Sequence, residues 1–365
     1  MAGREGAVAG LGIDPEFWRD RRVLLTGHTG FKGAWAALWL QAMGAELTGF
    51  SIDVPTTPSL YELADVESGM RSVTGDVRDH AALDAVVQEA RPEVVIHMAA
   101  QSLVRRSFAT PRETYETNVL GTVNVFEAAR QSDEVRVLIN VTSDKCYANR
   151  EWEWGYREDE PMGGFDPYSS SKGCAELVTR AYRSSFLADP AGPRLASARA
   201  GNVIGGGDWG EDRLIPDIMR GALSDEPIEI RNPSAVRPWQ HVLNPLSGYL
   251  RLAEAMWDDP DQATAVNFGP SDEDAQPVQW IVDRVIERWP GQLDWRVDRG
   301  AHPHEAGSLR LDSSRARARL HWRPQWGLAR GLDATVEWYL GYRDGEDVRE
   351  VTLRQIRMFA EGTAT

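Results

Sequence analysis

The stretch Val23-Leu-Leu-Thr-Gly-His-Thr-Gly-Phe-Lys-Gly33 reads as a short apolar strand that runs into a glycine-rich turn, where a helix opens. Gly27, Gly30 and Gly33 follow the spacing G-x-x-G-x-x-G. Glycines in such a turn let the backbone approach a pyrophosphate closely, and the phosphates then sit on the helix N-terminus. Thr29, Phe31 and Lys32 share the turn and are read with the glycines as cofactor-binding residues. Asp53 stands twenty positions after Gly33, at the end of the next strand. A carboxylate there accepts both ribose hydroxyls of NAD and repels a 2′-phosphate. The loop Val54–Leu60 carries no arginine to hold that phosphate, so NAD is expected rather than NADP. Asp76 and Val77, after the third strand, are placed near the adenine.

Outward from this turn the chain alternates short β-branched runs with longer helical ones. Strands are expected at Val23–Thr26, Leu47–Ile52, Ser72–Thr74, Val94–His97, Val135–Val141 and Leu195–Arg199. Helices are expected at Phe31–Met43, Ala81–Ala90, Pro111–Gln131 and Tyr168–Leu187. Strands separated by helices of this length form βαβ units on a parallel sheet. The fold class is therefore α/β: a doubly wound parallel Rossmann sheet with a smaller, discontinuous C-terminal substrate-binding lobe. Residues 17–202 read as the NAD-binding domain, with 238–268 returning to it through a strand at Ala265–Phe268. Segments 203–237 and 269–342 read as the lobe. Residues 1–20 read as a short polar leader without the pattern of a signal peptide.

Composition narrows the function. The 365 residues are 42% hydrophobic and 26% charged, an ordinary globular balance. Forty basic residues face 55 acidic ones, a formal net charge of −15. An acidic chain without a basic block is a poor partner for nucleic acid or an anionic membrane. No apolar run approaches the length of a membrane span. Cys146 and Cys174 are too few for a disulfide framework or a four-ligand zinc site, so no metal is expected and a cytoplasmic location is. Among the basic residues only Lys32, Lys145 and Lys172 are lysine; the remaining 37 are arginine. A lysine retained in such a chain marks a place that needs a compact ammonium, or one able to lose its proton.

Two of the three lysines fall in motifs. Tyr168-Ser-Ser-Ser-Lys172 begins a helix after Pro167, and positions four apart share a helix face. A free tyrosine, with a pKa of about 10, is no base at neutral pH. Lys172 and a positive nicotinamide are expected to favour the phenolate. Val141-Thr-Ser-Asp-Lys-Cys-Tyr147 ends the fifth strand and places Ser143, Asp144 and Lys145 where an open α/β sheet binds its ligands. The paired tryptophans Trp35/Trp39 and Trp152/Trp154 are read as helix core and loop packing.

With these motifs, and with His97-Met-Ala-Ala-Gln101 and Asn118, the segment 22–202 resembles the extended short-chain dehydrogenase/reductase family. The resemblance implies Tyr168, Lys172 and Ser143 as catalytic residues and Ala99, Ala100 and Gln101 beside the cofactor. Ser143-Asp-Lys145, followed by Cys-Tyr, resembles the branch of nucleotide-sugar 4,6-dehydratases that acts on CDP-glucose. Ala200-Gly-Asn-Val-Ile-Gly-Gly-Gly-Asp-Trp209, Arg237-Pro-Trp-Gln-His-Val242 and His304-Glu-Ala-Gly-Ser-Leu-Arg-Leu-Asp312 fit the same branch. It implies that Asn202, Arg213 and Arg237 hold the substrate's diphosphate and nucleotide, with His304 beside them. A homodimer or homotetramer, paired through the two long helices, is implied as well.

The chemistry expected is an internal redox cycle on CDP-glucose: oxidation at C4, loss of water across C5–C6 and hydride return to C6. Asp144 serves as acid, which requires a protonated carboxyl, and Lys145 as base. The alternative is an epimerase or a dehydratase acting on a dTDP-, UDP- or GDP-sugar. Asp53→Ala is expected to weaken NAD binding more than substrate binding, measured by titration calorimetry with each ligand. Unchanged NAD affinity would refute the ribose role.

Overall fold

The computed structural model describes residues 12–189, 192–224, 226–291, 293–298, 300 and 307–362. Six strands follow the sequence pattern: β1 (Arg22–Thr26), β2 (Glu46–Ser51), β3 (Arg71–Thr74), β4 (Val94–His97), β5 (Val137–Val141) and β6 (Arg194–Ala200). The strand Ala265–Phe268 joins β6, giving a seven-stranded sheet in the order Ala265–Phe268, β6, β5, β4, β1, β2, β3. Every neighbouring pair in it is parallel. β4 and β5 are buried along their whole length, as expected of strands covered by helices on both faces.

The chain winds outward from β1 to β3, then crosses back to lay β4 on the other side of β1. The order therefore reverses between β1 and β4, and an open α/β sheet binds its ligands at the carboxyl ends of such a pair. Thr26 and His97 are register partners at that point.

The helix Phe31–Ala42 follows the glycine turn. It is apolar on nearly all sides, and Trp35 and Trp39 are 0% and 3% exposed, so it is an interior helix. Trp35 Nε1 donates to the Gly206 carbonyl at 2.9 Å. A Cβ on Gly206 would lie 2.0 Å from Trp338, so only glycine lets that loop pack there. Trp338 belongs to the helix Leu328–Arg343, and the following helix Val348–Ala360 sets Phe359 edge-on to Trp39. Beyond β6, short parallel pairs join Val203–Ile204 to Gln240–His241 and Ile228–Ile230 to Trp295–Val297. Together with the helices Leu214–Ser224 and Val278–Arg288, these C-terminal elements form a distinct lobe.

The structure departs from the sequence pattern in three places. The expected helix Pro111–Gln131 is broken by a widened π turn at Glu116–Leu120, which carries Asn118. The polar leader is not one along its described part. Pro15–Trp18 is helical, Trp18 is fully buried, and its Nε1 donates to Glu254 at 2.8 Å. Trp154 is 60% exposed rather than packed, lying 5.2 Å from the Trp152 ring. Among the described residues no helix is long and apolar enough to cross a membrane.

The helix Pro167–Ser185 is fixed to the sheet by a buried ion pair. Arg199 of β6 bonds Glu176 at 2.6 Å, with 4% and 3% of the two side chains exposed. Glu176 also accepts from the hydroxyls of Thr142 and Ser197. Removing one partner of such a pair leaves a buried charge uncompensated. Arg199→Ala should therefore cost about 3–5 kcal/mol in denaturant unfolding; a loss under about 1 kcal/mol, the scale of an exposed pair, would refute the assignment.

Candidate active site

The site grows from a chain of hydrogen bonds at the reversal of strand order. Thr26 Oγ1 accepts from the Met98 and Ala99 N–H groups, each at 3.1 Å. Its proton is therefore free to donate to His97 Nδ1 at 2.7 Å. His97 then carries its hydrogen on Nε2 and donates to Thr122 Oγ1 at 3.1 Å, while Thr122 donates to the Asn118 carbonyl at 2.8 Å. Burial, aided by Lys172, pushes His97 down to about 3, so the ring is neutral and this tautomer is the one the bonds require. Asn118 continues the chain. Its Oδ1 accepts from Gln101 N–H at 2.9 Å, and its Nδ2 donates to the Gln101 carbonyl and to Ser171 Oγ at 3.0 and 2.9 Å.

The glycine turn lies against this chain. Gly27 has a φ of +77° and a Cβ on it would lie 2.7 Å from Ala99 N, while a Cβ on Gly33 would lie 2.0 Å from the Gly27 carbonyl. Gly30 caps the helix Phe31–Ala42 without a side-chain hydrogen bond, and its first turn carries no acidic residue. A close backbone cradle with an uncapped helix start fits a pyrophosphate. Thr29 donates to the Asp53 carbonyl at 2.5 Å, which ties the turn to the end of β2 and leaves the Asp53 side chain exposed. Ala100 is half-buried beside Gln101, whose side chain bonds Leu103 and Thr114. Asp76 is paired with Arg78, and Val77 packs in the core between sheet and helices. These residues fit a dinucleotide.

The catalytic candidates converge at the ends of β4 and β5. Ser143 caps the short turn Asp144–Cys146 and donates to Asp144 Oδ1 at 2.9 Å. Asp144 Oδ2 is buried with no hydrogen-bond partner. Burial raises the Asp144 carboxyl, and Lys145, Ser143 and Arg237 offset that only in part. The protonated acid expected from the sequence is thus favoured by the surroundings. Tyr168, 8% exposed, is set at its helix start by Asp166, whose carboxylate caps the Ser169 N–H.

The phenol differs from expectation. Burial pushes Tyr168 up to about 12, Asp144 adds to the rise, and the opposing influences are Ser143 and Arg213 rather than Lys172. Lys172 is itself pushed down to about 8 by burial, with Glu176 and Cys146 opposing. Lys32 is pushed down to about 8 by burial and by Lys172 and Arg213, with Asp144 opposing. Its Nζ lies 3.4 Å from the Tyr249 hydroxyl, and burial, Asp144 and Tyr168 all raise that phenol. Lys145 is half-buried beside Asp144. Lys32 and Lys145 therefore bear on the Asp144 carboxylate, while Lys172 bears on Lys32 and is engaged with Glu176.

The expected substrate residues are placed unevenly. Arg213 bonds Asp208 and Ser102. Arg237 donates to the Val236 and Gly307 carbonyls at 3.0 and 3.1 Å and faces Asp144. The Asn202 carbonyl accepts from Gln240 N–H at 3.0 Å. His304 lies outside the described residues. Asp208 stands within the stretch Ala200–Trp209 with no signal of its own there, and Ser102 and Tyr249 carry no sequence motif for this site; only the buried tyrosine's place among apolar helix positions hints at an inward face.

The GDP-mannose 4,6 dehydratase family model matches residues 24–335. A CDP-glucose 4,6-dehydratase of Salmonella typhimurium is 50% identical over 357 residues, covering 96% of this chain and 99% of that protein. A dTDP-glucose 4,6-dehydratase of Xanthomonas campestris is 27% identical over 340 residues, covering 87% and 92%. The crystal structure of DesIV, a dTDP-glucose 4,6-dehydratase from Streptomyces venezuelae with NAD bound, superposes with a TM-score of 0.75 at 23% identity, covering 89% of this chain and 98% of that one. This chain belongs to the GDP-mannose 4,6 dehydratase family, the nucleotide-sugar dehydratases of the extended short-chain dehydrogenase/reductase group.

Proposed function

We propose that this chain is an NAD-dependent hydro-lyase that converts CDP-glucose to CDP-4-keto-6-deoxyglucose and water. The observation that carries the reading is Asp144, a buried carboxyl held beside Ser143, Lys145 and Tyr168 at the end of β5. The half-identical relative that acts on CDP-glucose supports the choice of nucleotide.

The turn Gly27–Gly33, with Thr29, Phe31 and Lys32, would hold the pyrophosphate of NAD, and Asp53 its adenosine ribose. Asp76, Val77, Ala99, Ala100 and Gln101 would line the rest of the cofactor. Bound NAD supplies the acceptor for the C4 hydride and the donor that returns it at C6. Tyr168 takes the proton of the C4 hydroxyl, with Ser143 hydrogen-bonded to it and Lys172 behind it on the same helix. The C4 carbonyl so formed acidifies the C5 proton, and Lys145 removes it. Asp144, whose carboxyl is raised by burial, gives its proton to the C6 hydroxyl, which leaves as water. Asn202, Arg213, Arg237 and His304 would hold the nucleotide diphosphate, guanidinium forks being suited to phosphate oxygens. A C4 epimerase needs only hydride removal and return, so a buried acid at Asp144 would have no task in one.

We also infer pairing of two copies through the long helices. Leu120 and Leu177 are each 56% exposed there, and Phe186 at the end of the second is 58% exposed. A homotetramer would double that arrangement. A cytoplasmic setting accords with the free thiols of Cys146 and Cys174.

Incubation with CDP-, dTDP-, UDP- and GDP-glucose, read by the alkaline ultraviolet absorbance of 4-keto products, should give turnover with CDP-glucose first. Turnover of none would sink the dehydratase reading, and preference for another base would sink the nucleotide. Lys145→Met should block exchange of the C5 hydrogen with solvent deuterium and lower turnover by about 10²–10⁴-fold. Lys145→Arg should be nearly as damaging, because a guanidinium does not give up its proton. Recovery of activity in the arginine variant would mean that Lys145 is a fixed charge.

A further inference from the structure

Arg213 reaches the site from beyond β6, immediately before the helix Leu214–Ser224. Its guanidinium is not left to find its own position. Nη1 donates to both carboxylate oxygens of Asp208 at 3.2 and 3.1 Å, and Nη2 to Ser102 Oγ at 2.9 Å. Asp208 is 3% exposed and is itself anchored. Its carboxylate accepts from Gly210 N–H at 3.1 Å, and its carbonyl from the Tyr339 hydroxyl at 2.5 Å. Ser102 precedes the helix Val104–Ala109, where Ser107 Oγ accepts the Tyr168 N–H at 3.2 Å. One run of contacts thus leads from the lobe to the start of the catalytic helix.

The groups around the Tyr168 phenol come from five elements. Asp144 at the end of β5 and Asp166 at the phenol's own helix cap oppose its ionisation, while the Ser143 hydroxyl favours it. Lys172, on the same helix, is engaged with Glu176 and Cys146. Lys32 at the start of the helix Phe31–Ala42 donates to the Tyr249 hydroxyl on the helix Leu243–Asp258 at 3.4 Å, and Tyr249 bears on Tyr168 electrostatically. Among the described residues, the cation that bears most on Tyr168 is Arg213, and the phenol bears on Arg213 in return.

We propose that Asp208 is a positioning residue for the proton transfer at Tyr168: with Ser102 it pins the Arg213 guanidinium beside the phenol, so that the lobe delivers the cation this step needs. This rests on the reading of Tyr168 as the base at C4. A positive charge held at a buried phenol stabilises the phenolate, and it does so only while it is held there. The hydrogen bonds to Asp208 and Ser102 are what fix the orientation of the Arg213 guanidinium. The Asp208 tether therefore lets one arginine face the phenol with its fork in a fixed orientation.

The test is the pH dependence of kcat for wild type, Asp208→Ala, Asp208→Asn and Ser102→Ala, with the near-ultraviolet phenolate absorbance of the NAD-loaded proteins taken as the difference from Tyr168→Phe. Asp208→Ala should move the acidic limb and the phenolate titration to higher pH by about one unit, a tenfold loss of rate below the limb that is recovered above it. Asp208→Asn keeps a carbonyl acceptor for Nη1 and should restore most of the wild-type position. Ser102→Ala, at an exposed serine, should shift the limb upward by less, and it carries the test if Asp208→Ala does not fold. A limb that stays in place or moves down, with KM alone raised, overturns the proposal and leaves Arg213 a phosphate ligand only. Tyr168→Phe separates the two readings. If it turns over like wild type, the assignment of Tyr168 fails; if it is inactive while the limb is unmoved in the other variants, only the role of Asp208 fails.

Discussion

The contact between Thr26 and His97 is the constraint on which the rest of this site depends. It joins the ends of β1 and β4, where the strand order reverses and two crossover connections part to leave a cleft. Thr26 Oγ1 accepts from two backbone N–H groups and has its proton left for His97, so the imidazole has one tautomer and the threonine hydroxyl one direction. The chain runs on through Thr122 and Asn118 to Gln101 and Ser171. In this way the backbone beside the glycine turn and the helix that carries Tyr168 and Lys172 are held by one connected set of buried bonds. A fully satisfied buried network of this kind permits little rearrangement, since each broken bond leaves an unpaired polar group.

On that frame the chemistry is set by burial acting on a few charges. Arginine serves where a charge must persist, as in the pair of Arg199 with Glu176 or of Arg284 with Asp333. Lysine remains at only three positions, and burial brings two of them, Lys32 and Lys172, down to about 8. An ammonium can be brought that close to neutrality and a guanidinium cannot. The same burial raises Asp144 and Tyr168, so both are shifted toward holding their protons. Among the described residues, Arg213 from the lobe is the cation that favours the Tyr168 phenolate.

Much of this was legible in the residues. The strands were visible because β-branched runs such as Val94–His97 are long enough and bounded sharply enough to exclude helix. The glycine turn was legible because its spacing has a steric purpose, which the Gly33 contact makes concrete. Of the three lysines, Lys32 and Lys145 bear on Asp144, while Lys172 is engaged with Glu176 and bears on Lys32. The helix Val348–Ala360 carries no functional motif, although Asp347 as its cap and Val348, Val351, Ile356 and Phe359 on its buried face carry an ordinary helical signal.

What the sequence determined by itself is the kind of residue available at each point along the chain: a glycine where backbone must approach, a tyrosine and lysine one helical turn apart, and a serine, aspartate and lysine at a strand end. What the tertiary structure decided is which charge faces which. Nothing in the spacing from Ser102 to Asp208 and Arg213 shows that they form one cluster at Tyr168. Nor does the Tyr–Lys motif reveal that burial outweighs the lysine at the phenol. The reason is physical. Local conformation follows from sterics and periodicity over a few residues, whereas a proton's affinity depends on how much water is excluded and on charges brought close by distant parts of the chain.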